Sequence, residues 1–520
     1  MRLHLLLCLV AAASAARAGW EPLGPFGGPV AMVLVDRGTL LAATSNAQIF
    51  RSEDDGESWK PLPFPAQYRA TLHSFVVDRQ NPGVYFVGLS SDNPEYSGIL
   101  RTSDSGDTWD RIPEPELRAV WAIAIWQQDS KVMAAGTEDG VFLTRDAGTT
   151  WVLVTPADAV ELKPVVSLAI DPWESNILYA GTPHLAWKSV DGGSVWQSIH
   201  QGMLEDSDVF AILIDDQRRR RVFAATCGGI YRSLDGGAVW RKMIEAEGAS
   251  FRTYHIAQDP AQPNVLLAGT TQGLVKSEDS GTTWRRVSEH STHWIAFDTA
   301  RPNRTYLATD EGLFRSDDGG ESLRAINRGF TNRHLTSIAA VETSLYVTAL
   351  SDRGRLVLRR PDSEFEWEEM TETALQASEP PEYKPLSKIP GLPRSFSEHI
   401  GIYDVVRAAD GELLAATSRG LARSLDAGVT WKPVPGRLDG TTVSALCRHP
   451  TRPEVLFAAL FGEIFRSRDH GRSWTPLTAG SEHPNDFVAL LVLPGNPGRL
   501  IALSRSRGVY AMVLPPEWDD

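Results

Sequence analysis

Short apolar runs separated by turn residues recur along the whole chain. One period, residues 165–199, reads "VVSLAIDPWESNILYAGTPHLAWKSVDGGSVWQSI" and divides into three apolar strands, a polar box and a fourth strand. Short strands at regular spacing are typical of β-structure, and no stretch keeps the period of an amphipathic helix. The pattern therefore predicts an all-β fold built from four-stranded units.

The polar box has the pattern Ser/Thr-x-Asp-x-Gly-x-Ser/Thr-Trp and occurs nine times. Six copies are complete; Val195 and Val239 replace the hydroxyl residue in two copies, and Leu323 replaces the Trp in another. A tenth, decayed copy surrounds Asp362 and Trp367. Most intervals lie between 39 and 50 residues, the length of one four-stranded propeller blade. The aligned acids are Asp54, Asp104, Asp146, Asp191, Asp235, Asp279, Asp318, Asp426 and Asp469.

The box acids are predicted to be structural. An Asp side chain in a turn accepts hydrogen bonds from backbone N–H groups a few residues on, and the Gly two residues later allows a positive φ. The Trp covers the turn with a large apolar face while its N–H can still find a partner. An acid needed for catalysis would occur once or twice, not in nearly every repeat.

These boxes resemble those of the Asp-box (bacterial neuraminidase repeat) β-propellers, and the resemblance covers nearly all of the chain after residue 18. That superfamily includes sialidases, xyloglucan-type glycoside hydrolases, the sortilin lumenal domain and photosystem II assembly factors. With a box in almost every unit, the chain is most similar to the sortilin-type and bacterial exported members. The resemblance implies a propeller whose function lies on the face opposite the boxes.

The number of blades follows from the first strands, of which there are eleven. The last unit has no box, and "GWEPLG" at 19–24 is similar to "SWKPLP" at 58–63, the strand after the first box. The N-terminal segment is therefore predicted to supply the missing strand and cover an open edge.

One ring of ten or eleven blades is the favoured arrangement. Two smaller propellers in tandem are the alternative, with the Pro-rich segment at about 370–400 as linker or insertion. The first strands are placed near Val30, His73, Trp121, Val166, Phe210, Tyr254, His293, Ser337, Tyr403, Ser444 and Val488.

The first twenty residues, "MRLHLLLCLVAAASAARAGW", predict a secretory signal peptide over 1–18, so that 19–520 forms the secreted or periplasmic propeller.

The abundance of Arg over Lys and of Ala favours a bacterial source. The chain carries 51 basic and 65 acidic residues, a net charge of −14, which argues against nucleic acid as a partner. The basic run at 218–221 is interpreted as an exposed turn. No membrane insertion is expected, and the protein is expected to be a monomer.

Two insertions are predicted on the face opposite the boxes, "SSDNPEYSG" at 90–98 and the Pro-rich segment at 378–400. They contain Asp92, Tyr96 and Tyr383. Long loops in a repeat whose other loops are short are frequent binding sites. Solvated insertions without function are the alternative interpretation.

A second set of candidates lies at the starts of first strands, which line the central channel of a propeller. His73, Trp121, Phe210, Tyr254 and His293 occupy roughly equivalent positions there. Aromatic and imidazole rings that converge on a channel can hold a sugar or a peptide. They can also simply pack between neighbouring blades, and the sequence leaves both interpretations open.

The resemblance also raises two enzymatic hypotheses. The sialidase-like "RIP" at 111–113 follows Trp109 in a fourth-strand position, which does not fit that enzyme class. Xyloglucan-type hydrolases use two carboxylates at a controlled separation, and Asp310 and Glu138 are the matching candidates here. The first unit lacks an acid at that position. The sequence shows no metal-ligand spacing and predicts no metal and no cofactor.

The sequence thus favours an exported, non-enzymatic β-propeller that binds a protein, peptide or glycan on its loop-rich face. A glycoside hydrolase is the alternative, and an assembly factor of the photosystem II type is a further one. The two cysteines that remain after residue 18, Cys227 and Cys447, could be free or bonded.

Overall fold

A computed structural model describes residues 19–514 apart from 115, 205–206, 245–250, 342–343, 352–353, 362–365, 371–399, 409–411, 427, 461–462, 478–485, 496–497 and 506. The chain divides into two compact units. The first is Phe26–Asn332, and the second combines Met1–Pro25 with Arg333–Asp520. The predicted signal peptide and most of the Pro-rich segment, including Tyr383, lie outside the described residues.

The described strands form eleven four-stranded antiparallel sheets, which confirms the predicted all-β propeller architecture. Seven sheets belong to Phe26–Asn332 and are numbered here as blades 1 to 7. The other four belong to the second unit. In the described part of the chain the only helical segments are two single 3-10 turns, Pro94–Tyr96 and Val160–Leu162.

The strands of the seven-bladed unit are, blade by blade, β2 (Met32–Asp36), β3 (Thr39–Ala43), β4 (Ile49–Ser52), β5 (Lys60–Pro61); β6 (Thr71–Val77), β7 (Tyr85–Ser90), β8 (Gly98–Thr102), β9 (Asp110–Arg111); β10 (Ala122–Ile125), β11 (Met133–Thr137), β12 (Gly140–Thr144), β13 (Val152–Leu153); β14 (Ser167–Ile170), β15 (Leu178–Gly181), β16 (Ala186–Ser189), β17 (Gln197–Ser198); β18 (Val209–Ile214), β19 (Val222–Thr226), β20 (Gly229–Ser233), β21 (Trp240–Lys242); β22 (Thr253–Gln258), β23 (Leu266–Thr270), β24 (Gly273–Ser277), β25 (Arg285–Ser288); β26 (Thr292–Phe297), β27 (Thr305–Thr309), β28 (Leu313–Ser316), β29 (Arg324–Ala325).

The strands of the second unit are β1 (Glu21–Gly24), β30 (His334–Val341), β31 (Ser344–Ser351), β32 (Gly354–Pro361), β33 (Glu368–Glu369), β34 (Ile402–Arg407), β35 (Leu413–Thr417), β36 (Gly420–Ser424), β37 (Lys432–Pro433), β38 (Val443–Arg448), β39 (Leu456–Leu460), β40 (Glu463–Ser467), β41 (Thr475–Pro476), β42 (Phe487–Leu493), β43 (Arg499–Ser504) and β44 (Gly508–Val513).

Blades 1 and 7 join and close the seven-bladed unit on itself. The Val30 N–H donates to the Thr309 carbonyl at 2.9 Å. The Trp59 indole N–H donates to the Ile326 carbonyl at 2.6 Å. Gly329 is required at the junction, because a Cβ there would lie 2.3 Å from the Trp59 carbonyl oxygen. This closed set of seven differs from the favoured ring of ten or eleven blades, because repeat spacing defines a blade but not the rotation from one blade to the next.

In the second unit the N-terminal strand completes the last sheet. Strand β1 pairs antiparallel with β44, giving the order β1-β44-β43-β42. Leu23 is buried among apolar residues of this unit, and the Trp367 indole N–H donates to the Leu23 carbonyl at 2.7 Å. The prediction that the segment at 19–24 supplies the missing fourth strand is confirmed.

Each box closes the turn between the third and fourth strands, as predicted. In blade 2, the Thr108 N–H donates to Asp104 Oδ1 at 2.9 Å, and its hydroxyl donates to Oδ2 of the same carboxylate at 2.5 Å. Thr102 donates its hydroxyl to Oδ1 and accepts the Gly106 N–H. Where Val195 replaces the hydroxyl residue, the backbone bond to Asp191 remains at 2.9 Å. These copies therefore lose the hydroxyl bond to the second carboxylate oxygen and retain the bonds of the carboxylate to the backbone and to the first Ser.

A second set of acids, which the sequence reading missed, closes the turns between first and second strands. Their carboxylates are buried and accept backbone N–H groups two residues on, as Asp171 does from Trp173 at 2.9 Å. Four of them stand twenty residues before a box acid, a spacing that could have identified them. The set comprises Asp78, Asp171, Asp215, Asp259 and Asp298.

The basic run at 218–221 forms the corresponding turn of blade 5. Arg218 to Arg220 are exposed, which agrees with the predicted exposed turn. Arg221 departs from it, because its side chain is only 5% exposed and forms an ion pair with the fully buried Asp215. Both Cys227 and Cys447 are free thiols, and burial raises the pKa of Cys447.

Low pH should weaken the hydrogen bonds that the box carboxylates accept. The hydroxyl and the backbone N–H of Thr108, followed by the Thr102 hydroxyl, lower the pKa of Asp104 from 3.8 to about 2. A carboxyl with a lower pKa in the folded state stabilises the fold above its unfolded pKa and loses this contribution as the pH falls. We expect thermal stability to fall between about pH 4 and pH 2 and Asp104→Asn to lower the melting temperature at pH 7 by roughly 2–4 °C.

The check is a series of thermal melts from pH 7 to pH 2 on the wild type and Asp104→Asn. The difference between the two proteins should shrink as the pH approaches 2, where the wild-type carboxyl becomes protonated. A difference that stays constant over this range would contradict the role assigned to the carboxylate charge.

The two box tryptophans Trp59 and Trp109 should differ in their effect on stability. Trp59 is 3% exposed and its indole bonds blade 7, whereas half-buried Trp109 bonds Gly106 in its own box. We expect Trp59→Ala to destabilise by about 3–5 kcal/mol and Trp109→Ala by less. Guanidinium unfolding of the full chain with each substitution provides the measurement. Equal losses would contradict a special role for Trp59 in ring closure.

Candidate functional site

The predicted channel residues lie at one end of the first strands of the seven-bladed unit. In blades 2 and 5, the pairing of first and second strands shifts by one residue around His73 and Phe210. The same shift surrounds Tyr254 in blade 6 and His293 in blade 7. In blade 3, Trp121 directly precedes β10, and its N–H donates to the Gly136 carbonyl at 2.8 Å. We call the set His73, Trp121, Phe210, Tyr254 and His293 the channel mouth.

The mouth residues contact one another across blade boundaries. The rings of His73 and Trp121 have centroids 4.3 Å apart, with an interplanar angle of 31°. Tyr254 lies 6.1 Å from Phe210 and 4.9 Å from His293, measured between ring centroids. All five side chains are half-buried. They therefore pack between neighbouring blades, as one interpretation predicted, and keep part of their surface exposed.

At this end, residues of the four consecutive blades 2 to 5 line a cavity of about 290 Å³. Aromatic, aliphatic and acidic side chains share its wall, which gives it both apolar faces and one negative charge. The lining residues are His73, Trp121, Val166, Pro183, Asp208 and Phe210.

The imidazole of His73 is neutral at physiological pH. Burial lowers its pKa from 6.5 to about 4, because a charged ring would lose its hydration. Its Nε2 lies 2.7 Å from the hydroxyl oxygen of Ser90, at the end of β7. Ser90 also begins the predicted insertion at 90–98, so this contact ties the insertion to the mouth.

The insertion itself is ordered around Tyr96. The side chain of Asn93 accepts the Glu95 N–H at 3.0 Å and starts the 3-10 turn Pro94–Tyr96. The Arg69 guanidinium lies 5.1 Å from the centroid of the Tyr96 ring and also bonds its hydroxyl. Asp92 is exposed, whereas Tyr96 is half-buried. Tyr96 thus lies in a loop that hydrogen bonds and the Arg69 contact hold in place, whereas the Asp92 side chain is in solvent.

The two candidate hydrolase acids have different surroundings. Asp310 Oδ1 lies 2.7 Å from His293 Nε2, so Asp310 joins the channel mouth. Its neighbour Glu311 pairs with His290 Nδ1 at 2.6 Å. Burial, followed by the charge of Asp310, raises the pKa of Tyr254. Glu138 is exposed in the turn between β11 and β12 of blade 3, and no described residue bonds or ion-pairs with its carboxylate.

A second, larger cavity of about 480 Å³ lies along the first strands of the same unit. Most of the residues that line it are apolar, such as Val76, Ile125 and Leu213, although polar groups also face the cavity. His255 stacks on Trp294 with ring centroids 4.0 Å apart, and burial lowers the pKa of His255 to about 3. Sequence reading missed this pair, although both residues follow a mouth residue directly.

Over the residues that the structure describes, no cluster of three or more His, Cys, Asp or Glu side chains could hold a metal ion. The same part of the chain contains no helix long and apolar enough to cross a membrane.

Comparison with known proteins places the chain by its fold. No family model matches it, and no curated protein matches it. A GH74 enzyme of Niastella koreensis has a TM-score of 0.67 at 15% identity, covering 95% of this chain and 99% of that one. The GH74 xyloglucanase of Xanthomonas campestris has a TM-score of 0.56 at 18% identity, covering 95% and 87%. At these identities the likeness shows a shared β-propeller fold, and the finer resemblance to sortilin-type proteins stays a prediction.

Proposed function

We propose that this chain is an exported, non-enzymatic β-propeller that binds a protein, peptide or glycan at the channel mouth of its seven-bladed unit. The observation that supports this most directly is the cavity of about 290 Å³ whose wall includes His73, Trp121 and Phe210. Concave sites lined by aromatic side chains with a few polar groups are typical of ligand binding.

The mouth has the surface properties that such a ligand needs. The half-buried rings of Trp121 and Phe210 offer flat apolar faces, on which a sugar ring or an apolar side chain can pack. Neutral His73 adds a polar edge without a positive charge. Because strands hold these rings, little conformational entropy is lost when a ligand binds.

The loop at 90–98 extends the site outward. Ser90 contacts His73, and Tyr96 stands a few residues further on, fixed by Arg69. In this proposal, a ligand longer than one sugar or side chain extends from the cavity toward the loop that holds Tyr96. This continuity favours an oligomeric ligand, such as a peptide or a glycan chain, over a small metabolite.

The proposal is tested by a screen followed by titration. The mature chain, residues 19–520, is applied to a glycan array that includes xyloglucan oligosaccharides and to a peptide array. Each hit is then titrated by calorimetry against the wild type and Trp121→Ala. We expect Trp121→Ala to weaken binding by roughly 10- to 30-fold, because an aromatic anchor in a pocket carries much of the binding energy.

Trp173→Ala is the matched control, because Trp173 lies in the turn between β14 and β15 and contacts Arg219 there. It should leave the affinity unchanged. Hits that bind Trp121→Ala as tightly as the wild type would contradict the proposed site. Release of reducing ends from xyloglucan that is lost in Asp310→Asn and Glu138→Gln would instead support the hydrolase alternative.

A further inference from the structure

Asp208 is held at the channel mouth by its backbone. It directly precedes β18, and its carbonyl accepts the Cys227 N–H at 3.2 Å. The next residue, Val209, donates its N–H to the Thr182 carbonyl of the preceding blade at 3.0 Å. These bonds to two blades fix the position from which the Asp208 side chain reaches the wall of the cavity.

The carboxylate of Asp208 has no partner within the described structure. Of the residues that the structure describes, none donates a hydrogen bond to it or forms an ion pair with it. The side chain is half-buried, so part of its hydration is already lost. A carboxylate in this position is stabilised when a hydrogen-bond donor or a cation reaches it.

Among the described residues that line the cavity, Asp208 carries the only charge. Four of the other five lining residues, Trp121, Val166, Pro183 and Phe210, are uncharged, and the low pKa of His73 keeps its imidazole neutral at physiological pH. The negative charge is therefore not compensated from within the wall. The faces of Trp121 and Phe210 add a second attraction for a cation, because an aromatic ring carries partial negative charge on its face.

We infer that this cavity binds an organic cation, an ammonium or guanidinium group whose charge meets Asp208 and whose alkyl part packs against Trp121 and Phe210. The volume of about 290 Å³ suits a single side chain or a small amine. The inference rests on the proposed function, since it names the chemical class of the group that enters the mouth. That group is either a Lys or Arg side chain of a peptide or a free amine.

The test uses four probes at pH 7. N-acetyl-lysine methylamide carries the cation, and N-acetyl-norleucine methylamide has the same alkyl chain without the charge. n-Butylamine, which has the alkyl chain and ammonium of a lysine side chain, represents a free amine, and the tripeptide acetyl-Gly-Lys-Gly-amide represents a peptide. Binding to the full mature chain is followed by tryptophan fluorescence and confirmed by calorimetry.

We expect the lysine amide to bind about 10- to 100-fold more tightly than the norleucine amide, the range for one charged hydrogen bond. Asp208→Asn, which keeps the shape of the side chain, should remove this preference. Asp158→Asn removes an equal charge from an exposed site outside the cavity and should leave the preference unchanged. Melting curves of both variants establish that they are folded.

Tighter binding of the tripeptide than of n-butylamine would identify a peptide side chain as the ligand group, and the reverse would identify a free amine. Equal affinity for the lysine and norleucine amides, or a lysine preference that survives in Asp208→Asn, would overturn the inference. A neutral glycan whose binding depends on Trp121 but not on Asp208 would overturn it too, while leaving the proposed function intact. Loss of the Trp121 dependence for every hit would instead refute the proposed function.

Discussion

Most sheets of the described structure have two apolar faces, and both must be covered. The second strands show this most clearly, because β11, β19, β23, β27, β35 and β39 are buried at each of their residues. Successive side chains of a strand point to opposite faces, so a strand buried throughout requires a packed neighbour on either side. A blade is therefore not stable alone. Within Phe26–Asn332 the requirement is met by closing seven sheets on one another.

Local features of the fold could be predicted from the sequence, whereas the closure could not. The box depends on residues within eight positions of one another, so it is visible in the sequence, and the first strands between the boxes reveal eleven blades, of which the last lacks a box and a fourth strand. Ring size depends on the small rotation between neighbouring blades, which no single residue encodes. The contacts that close the ring, such as Trp59 with Ile326 or the bidentate pair of Asp55 with Arg301, join positions more than 240 residues apart. Nothing in the spacing of the boxes distinguishes these residues from their counterparts in other blades.

The same distinction holds for the candidate site. Five mouth residues could be aligned because they occupy one repeat position, and the structure does bring neighbouring members into contact. Asp208 and Pro183 could not be predicted in this way, because each lies outside the aligned first-strand position and reaches the cavity wall only in the folded structure. Glu138 and Asp310 occupy the same repeat position, but only Asp310 contacts a residue of the channel mouth. A repeat position therefore predicts the place of a side chain better than its surroundings.

The pairing of β1 with β44 also determines the order in which this protein can fold. Strand β1 pairs with β44, as Glu21 does with Ala511, so the whole seven-bladed unit stands in sequence between β1 and the other three strands of its sheet. Contacts across such a separation form late, because the loop between them costs entropy to close. A chain that emerges N-terminus first must keep β1 unpaired until β44 is available. The seven-bladed unit has no such dependence and can close as soon as blade 7 is present.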